Sequence, residues 1–415
     1  MQEAVPSLPV SLADIERAAG LLAGNILPTP CLEAPKLSRL TGAEVYVKYE
    51  NLQVTNSFKE RGAFIRLSAL SEEERRRGVI AMSAGNHAQA VAYHAQRLSI
   101  PATIVMPVTT PFVKVASTRS RGANVILEGE TLAEAQIAVE RLIAAHDFVL
   151  IHPYDDPAVI AGQGTIGLEM LSSVPGLDDL IVPVGGGGLI SGIAIAARAI
   201  KPTIRITGVE SVLFPSMGAA LGGREVRCGG NTLAEGIAVK NVGRLTRAVC
   251  EALVDAVVAV GEDLIEQAIF SYLTEQKTMA EGAGAAGLAA LLADPERYRG
   301  RKVGLVLCGG NIDPRILASI MVRQLARHGQ IIALRIEIDD RPGSLGRLTS
   351  LIGALGGNIL GVSHHRLFLS IPAKGASVDV TLEVRDPDHG ATIQNELEAQ
   401  GFHSECIDIG AADIA

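Results

Sequence analysis

Lys59 stands in the stretch Ser57-Phe58-Lys59-Glu60-Arg61-Gly62-Ala63, behind a short hydroxyl and an aromatic ring. A lysine taken out of water loses its proton more readily and becomes a nucleophile or a Schiff-base former. A lysine on the wet face of an amphipathic helix does neither, so the neighbouring motifs must decide between the two. Residues 183–192, "PVGGGGLISG", end an apolar run at Val184 and place Gly185, Gly186, Gly187 and Gly188 before Leu189 and a helical pattern. Successive glycine N–H groups can turn inward on an anion, and a helix start adds partial positive charge. A phosphate cradle fits, and so does a dinucleotide fold, with Glu210 near the place of a ribose-binding acid.

Residues 83–90, "SAGNHAQA", again put a polar loop between an apolar run and a helix. Ser83 and the N–H groups of Ala84, Gly85, Asn86 and His87 would receive a carboxylate, and the Asn86 amide can donate to a ring oxygen. A capped helix with Asn86 and His87 in solvent is the competing view. Residues 307–311, "LCGGN", hold Cys308 at the end of another apolar run, as a small buried residue or as a neutral S–H donor. A lysine, two anion cradles and a neutral donor together suit a ligand with an aldehyde, a phosphate and a ring nitrogen. Pyridoxal 5′-phosphate is that ligand, and Lys59 would hold it as a Schiff base.

Such groups need a scaffold that gathers strand ends. Val- and Ile-rich runs at 45–50, 79–83, 103–106, 124–127, 148–151, 180–184, 204–210, 255–260 and 303–308 predict strands. Helical patterns lie at 85–97, 112–121, 131–145, 188–200 and 280–293. Alternation of this kind predicts an α/β fold with parallel sheets covered by helices, split into two sheets. After about residue 325 the strands alternate apolar and polar residues, and the order βαββαβ predicts a small ferredoxin-like module.

The 415 residues carry a net charge of −8 with no long basic run, which speaks against nucleic acid or an anionic membrane as partner. Five scattered cysteines without a CxxC pair suit free thiols and a cytoplasmic protein. No ligand cluster with transition-metal spacing is present in the sequence.

The four motifs, in this order and spacing, resemble the fold-type II pyridoxal-phosphate enzymes (tryptophan synthase β-like), and among them the threonine ammonia-lyases, or threonine dehydratases. The likeness runs over about residues 10–325. The stretch "DDRPGSLGRLTSLIGALGGNI" is similar to an ACT domain, a module that senses amino acids. The resemblance implies a catalytic domain over 1–327, with a smaller lobe at about 50–155, and an ACT regulatory domain over 328–415.

It implies Lys59 and Ser57 as catalytic residues. Phe58 would flank the cofactor ring, Asn86 would bond its hydroxyl oxygen, and Cys308 would face the pyridine nitrogen. Gly185, Gly186, Gly187, Gly188 and Leu189 would hold the phosphate. Ser57, Ser83, Ala84, Gly85, Asn86 and His87 would bind the substrate. Glu281 would lie near the ring, or else serve only as an acid at a helix start. Glu210 would help hold a monovalent or divalent cation.

The implied reaction is β-elimination of L-threonine and L-serine to 2-oxobutanoate or pyruvate and ammonia, as in isoleucine biosynthesis. A serine racemase, a hydroxyaspartate ammonia-lyase and a cofactor-bearing sensor remain alternatives. Racemases of the family carry serine where this chain has Ala84, which favours elimination. In the tail, Gly343, Ser344, Leu345 and Asn358 would bind an amino acid effector between two copies, implying a homodimer or homotetramer. His364 and His365, adjacent on a strand, point to opposite faces and read as structural.

Overall fold

The computed structural model describes residues 8–225, 227–365 and 375–408. The chain forms two compact units, Met1–Ile312 and Asp313–Ala415.

The first unit holds two sheets. The larger has six strands in the order β1-β2-β10-β7-β8-β9. These are β1 (Cys31–Glu33), β2 (Glu44–Tyr49), β7 (Asp179–Pro183), β8 (Arg205–Ser211), β9 (Ala256–Val260) and β10 (Lys302–Leu307). All pairs are parallel except β1 with β2. The smaller sheet is parallel throughout, in the order β5-β4-β3-β6. It contains β3 (Val79–Met82), β4 (Ala102–Met106), β5 (Asn124–Leu127) and β6 (Val149–Leu150). Every residue of β4 and β7 is buried, as strands covered on both faces must be.

The nine parallel strands expected from the apolar runs are all present. The sequence reading missed β1, which has only three residues, two of them exposed. Hydrophobic periodicity gives no signal on so short a piece; its pairing with β2 creates it.

Four strand ends converge on one side. After β3 the chain passes a polar loop into the helix Asn86–Arg97, and after β7 a glycine run into the helix Gly188–Ile200. After β2 it makes a short 3₁₀ turn, Glu50–Leu52, and reaches the helix Lys59–Ser68. β10 pairs with β2 in a register that sets Leu307 beside Tyr49, so both chains leave the sheet at the same level. Loops outside the carboxyl ends of parallel strands are where such sheets bind ligands.

The second unit begins with the helix Pro314–Arg327 and continues β11 (Ile331–Asp339), helix Ser344–Ala354, β12 (Asn358–His365), β13 (Gly375–Glu383), helix Pro387–Ala399 and β14 (Ser404–Ile407). The sheet is antiparallel, ordered β12-β13-β11-β14, which is the expected βαββαβ arrangement. Leu334, Ile336, Val378 and Val380 pack with Leu348, Ile352, Ile393 and Leu397 from the two helices. Asp386 caps the second helix by accepting from the His389 N–H at 2.8 Å.

Candidate active site

The loop before Lys59 is laced to the loop after β10. Asn56 adopts a left-handed conformation (φ 56°) that turns the chain. The Phe58 N–H donates to the Cys308 carbonyl at 3.0 Å, and the Gly310 N–H donates to the Asn56 carbonyl at 3.0 Å. Ser57 and Gly309 form a β-bridge between them. Lys59 and Cys308, far apart in sequence, thereby enter one site.

Lys59 Nζ donates to the Pro153 carbonyl at 2.8 Å and lies 5.0 Å from the centre of the Phe58 ring. Burial lowers its pKa to about 8, outweighing Cys308 and Glu281, which push it up. The amine therefore sheds its proton far more readily than a surface lysine. Ser57 Oγ is buried, and among the described residues nothing pairs with it. An orphaned hydroxyl beside a reactive amine keeps its hydrogen-bonding capacity for a ligand's polar group. Burial also drives the Cys308 thiol well above its usual range, so it stands there as a neutral S–H.

At the second cradle, Ser83 Oγ accepts from the Gly85 N–H at 3.1 Å. Among the described residues nothing lies within 4 Å of the place a Gly85 Cβ would take, so the loop faces open space. Asn86 Nδ2 donates to Glu281 Oε1 at 2.7 Å, and Asn86 Oδ1 accepts from Asn311 Nδ2 at 2.8 Å. The His87 ring turns away and meets the Ile151 carbonyl at 2.9 Å. Burial holds its pKa down to about 3, so the imidazole is neutral and only the main chain of His87 belongs to the loop.

The glycine run has the form a phosphate requires. Gly187 is left-handed (φ 95°) and caps the helix Gly188–Ile200. A Cβ on Gly186 would stand 2.2 Å from the Tyr154 ring. Among the described residues nothing accepts the N–H groups of Gly185 through Leu189. Unpaired N–H groups at a helix start, beside a lysine of lowered pKa and a neutral thiol, match the phosphate, aldehyde and ring nitrogen of pyridoxal 5′-phosphate.

Tyr154, Pro153 and Asn311 escaped the sequence reading. The segment 152–156 directly follows the apolar run 148–151, but it carries no glycine run and no lysine to single it out. Asp155 caps the helix Arg244–Leu253, accepting from Arg244, Leu245 and Thr246 at 3.0, 2.8 and 3.3 Å. That anchor holds Pro153 over the lysine and Tyr154, whose hydroxyl donates to the Asn241 carbonyl at 2.8 Å, over the glycines.

Glu210 lies at the end of β8, where its carboxylate takes the N–H of Gly218 at 2.9 Å and that of Met217 at 2.5 Å. Among the described residues no group of three His, Cys, Asp or Glu side chains could hold a metal ion. In the second unit Gly343 is left-handed (φ 90°) ahead of its helix, Leu345 packs on the core, and Asn358 Nδ2 donates to Glu383 Oε2 at 2.8 Å. A cavity there is lined by Gly346, Arg347, Ser350, Leu351, Gln400 and Phe402, one turn beyond Gly343 and Ser344. No helix among the described residues is long and apolar enough to cross a membrane.

A reactive lysine, an anion cradle at a glycine-rich helix start and a buried neutral thiol, all at parallel strand ends, define a cofactor enzyme of the aldehyde-binding kind. The chain belongs to the pyridoxal-phosphate dependent enzymes, whose family model matches residues 22–309. It is 45% identical to an L-threonine ammonia-lyase of Thermotoga maritima, over 96% of this chain and 100% of that one. Among solved structures it resembles the processed form of threonine deaminase isoform 2 from Solanum lycopersicum. That match has a TM-score of 0.71 and 38% identity, over 75% of this chain and 91% of the other. Serine racemase from Dictyostelium discoideum matches with a TM-score of 0.69 and 37% identity, over 74% of this chain and 99% of the other.

Proposed function

We propose that this chain is a threonine ammonia-lyase, converting L-threonine to 2-oxobutanoate and ammonia and L-serine to pyruvate and ammonia. Water leaves in the elimination and returns when the released enamine hydrolyses, so atoms balance. The observation that carries the reading is the Lys59 amine, lowered in pKa and held at the Pro153 carbonyl, in one site with the unpaired N–H groups of the glycine run.

Pyridoxal 5′-phosphate, when bound, supplies an aldehyde for amines and a sink for the electrons left by the α-proton. Gly185 through Leu189 would hold its phosphate and Asn86 its ring oxygen. Cys308, a neutral donor, would face the ring nitrogen and leave it largely unprotonated. Lys59, as a neutral amine, would be the base that takes the α-proton. Ser57 Oγ and the N–H groups at 83–87 orient the substrate carboxylate. Ala84 offers no second base on the opposite face, which favours elimination over racemisation.

The second unit is, on this reading, an ACT domain. Its βαββαβ order and the turn at Gly343 support that assignment. A branched-chain amino acid such as isoleucine or valine would bind at Gly343, Ser344, Leu345 and Asn358, with a second copy of the chain closing the site.

The test measures 2-oxobutanoate release from threonine alongside the visible absorbance of the protein-bound cofactor. Both should be present in the unaltered protein and both lost in Lys59→Ala. A bound cofactor without turnover of threonine or serine would overturn the lyase reading. A band that survives in Lys59→Ala would overturn the assignment of the lysine.

A further inference from the structure

Beside Lys59 lies a ring of hydrogen bonds that sets the orientation of the Asn86 amide. Asn86 Nδ2 donates to Glu281 Oε1 at 2.7 Å. Asn311 Nδ2 donates to Asn86 Oδ1 at 2.8 Å, and the Asn311 main-chain N–H donates to the Glu281 carboxyl. Asn311 Nδ2 also reaches the Thr55 carbonyl at 2.8 Å, which ties the ring to the loop that carries Lys59.

An asparagine side chain has one acceptor oxygen and two N–H donors. Here Asn311 takes the oxygen and Glu281 takes one N–H. A flipped amide would set N–H against N–H and oxygen against carboxylate, so one orientation survives. It leaves one N–H of Asn86 for a further acceptor. Glu281 is itself fixed: it is the N-cap residue of the helix Gly282–Ala293, and its N–H donates to the Gly309 carbonyl at 3.1 Å. A Cβ on Gly309 would lie 2.3 Å from Glu281 Oε1, so only glycine lets the carboxyl approach this closely.

We propose that Glu281 is a positioning residue, whose carboxylate fixes the Asn86 amide with one N–H toward the cofactor ring and fastens the helix Asn86–Arg97 to the loop after β10. This deepens the function proposed above and rests on it. The ionisable groups that face Glu281 come from four elements. They are Lys59, Cys308, Glu235 on the 3₁₀ turn Glu235–Ile237, and Lys114 on the helix Phe112–Arg119. Lys114 and Glu235 form an ion pair. Burial pushes the Glu281 carboxyl up to about 7, with Asn86 and the Asn311 N–H pulling the other way. An ionised carboxylate is the stronger acceptor, so the grip on Asn86 tightens as the proton leaves.

The experiment compares the holoenzyme with Glu281→Ala and Glu281→Gln, reading the dissociation constant of pyridoxal 5′-phosphate and the visible spectrum of the bound cofactor against pH. Glu281→Ala should weaken cofactor binding about ten- to a hundredfold, the worth of a charge-assisted hydrogen bond. Glu281→Gln keeps the shape and one acceptor oxygen but cannot ionise. It should retain most of the affinity and lose the spectral step expected of the unaltered protein near neutral pH. If Glu281→Ala fails to fold, the spectral step in Glu281→Gln decides. An unaltered step in Glu281→Gln, or an unaltered affinity in Glu281→Ala, overturns this inference and leaves the lyase reading standing. Absence of any visible band from the unaltered holoprotein overturns both.

Discussion

The ε-amine of Lys59 donates a hydrogen bond to the main-chain carbonyl of Pro153 at 2.8 Å. That contact ties the amine, at the start of the helix Lys59–Ser68, to the segment that follows β6. Its pKa of about 8, against 10.5 for an ordinary lysine, sets how often it is unprotonated. Only the unprotonated amine attacks an aldehyde. The rate at which apoprotein captures pyridoxal 5′-phosphate should therefore climb with pH through a midpoint near 8 and level off above it. Stopped-flow absorbance over a pH series measures this. A midpoint near that of free lysine would refute the lowered pKa.

Ala84 occupies the loop between β3 and the helix Asn86–Arg97. Restoring a hydroxyl there, in Ala84→Ser, should raise the rate of D-serine formation from L-serine at least severalfold while threonine turnover persists. Chiral chromatography of the serine pool gives the answer. No gain in D-serine would mean that another group already governs the second face.

Gly186 is pressed against Tyr154, with the ring only 2.2 Å from where a Cβ would be. In Gly186→Ala the ring must move or the loop must open. Overpacking of this sort costs about 1–3 kcal/mol. The variant should unfold at lower denaturant concentration and bind pyridoxal 5′-phosphate more weakly. Tyr154→Ala in the same background should recover part of the stability. Equal stability of Gly186→Ala and the unaltered protein would show that the contact yields at no cost.

Two residues past the lysine stands a buried cluster of charges. Arg61, fully buried, donates to Glu50 through Nε at 2.8 Å and Nη2 at 2.7 Å, and pairs with Glu169. Burial alone would push the Glu50 carboxyl up, but the Arg61 guanidinium and the Lys48 ammonium overcome it and hold it at about 2, against an ordinary 4.5. The folded value lies below the unfolded one. The contribution to stability is therefore complete above about 4.5 and disappears as pH falls through about 2. Arg61→Met leaves the acid buried with its main partner gone, at a cost of about 3–5 kcal/mol near neutral pH. Urea unfolding should show that gap, and the gap should narrow in acid. A constant gap down to pH 2 would contradict the assignment.

Much of this was legible in the chain. The strands were readable because those covered on both faces must be unbroken apolar runs, as in Ala102–Met106. The glycine run and Asn86 stood out because each closely follows such a run, and Lys59, nine residues beyond the run at 45–50, stood out through its agreement with the neighbouring motifs. Tyr154, Pro153 and Asn311 did not, since their roles come from approach across the fold. A tyrosine over a glycine and a carbonyl over an amine leave no periodic trace. Glu281 was visible as a helix-start acid, yet its tie to Asn86 depends on a bare Gly309, which only coordinates reveal.

β10 lies between β2 and β7 in the larger sheet, although it is the last of the three to be made. On the ribosome, β2 and β7 emerge with their eventual neighbour still unmade, and neither can close that part of the sheet alone. The part of the binding cleft that joins the loop of Lys59 to Cys308 is thus completed late, when Leu307 and the residues behind it clear the exit tunnel. A vitamin B6 derivative offered to a shorter nascent chain would find the lysine but no enclosure around it.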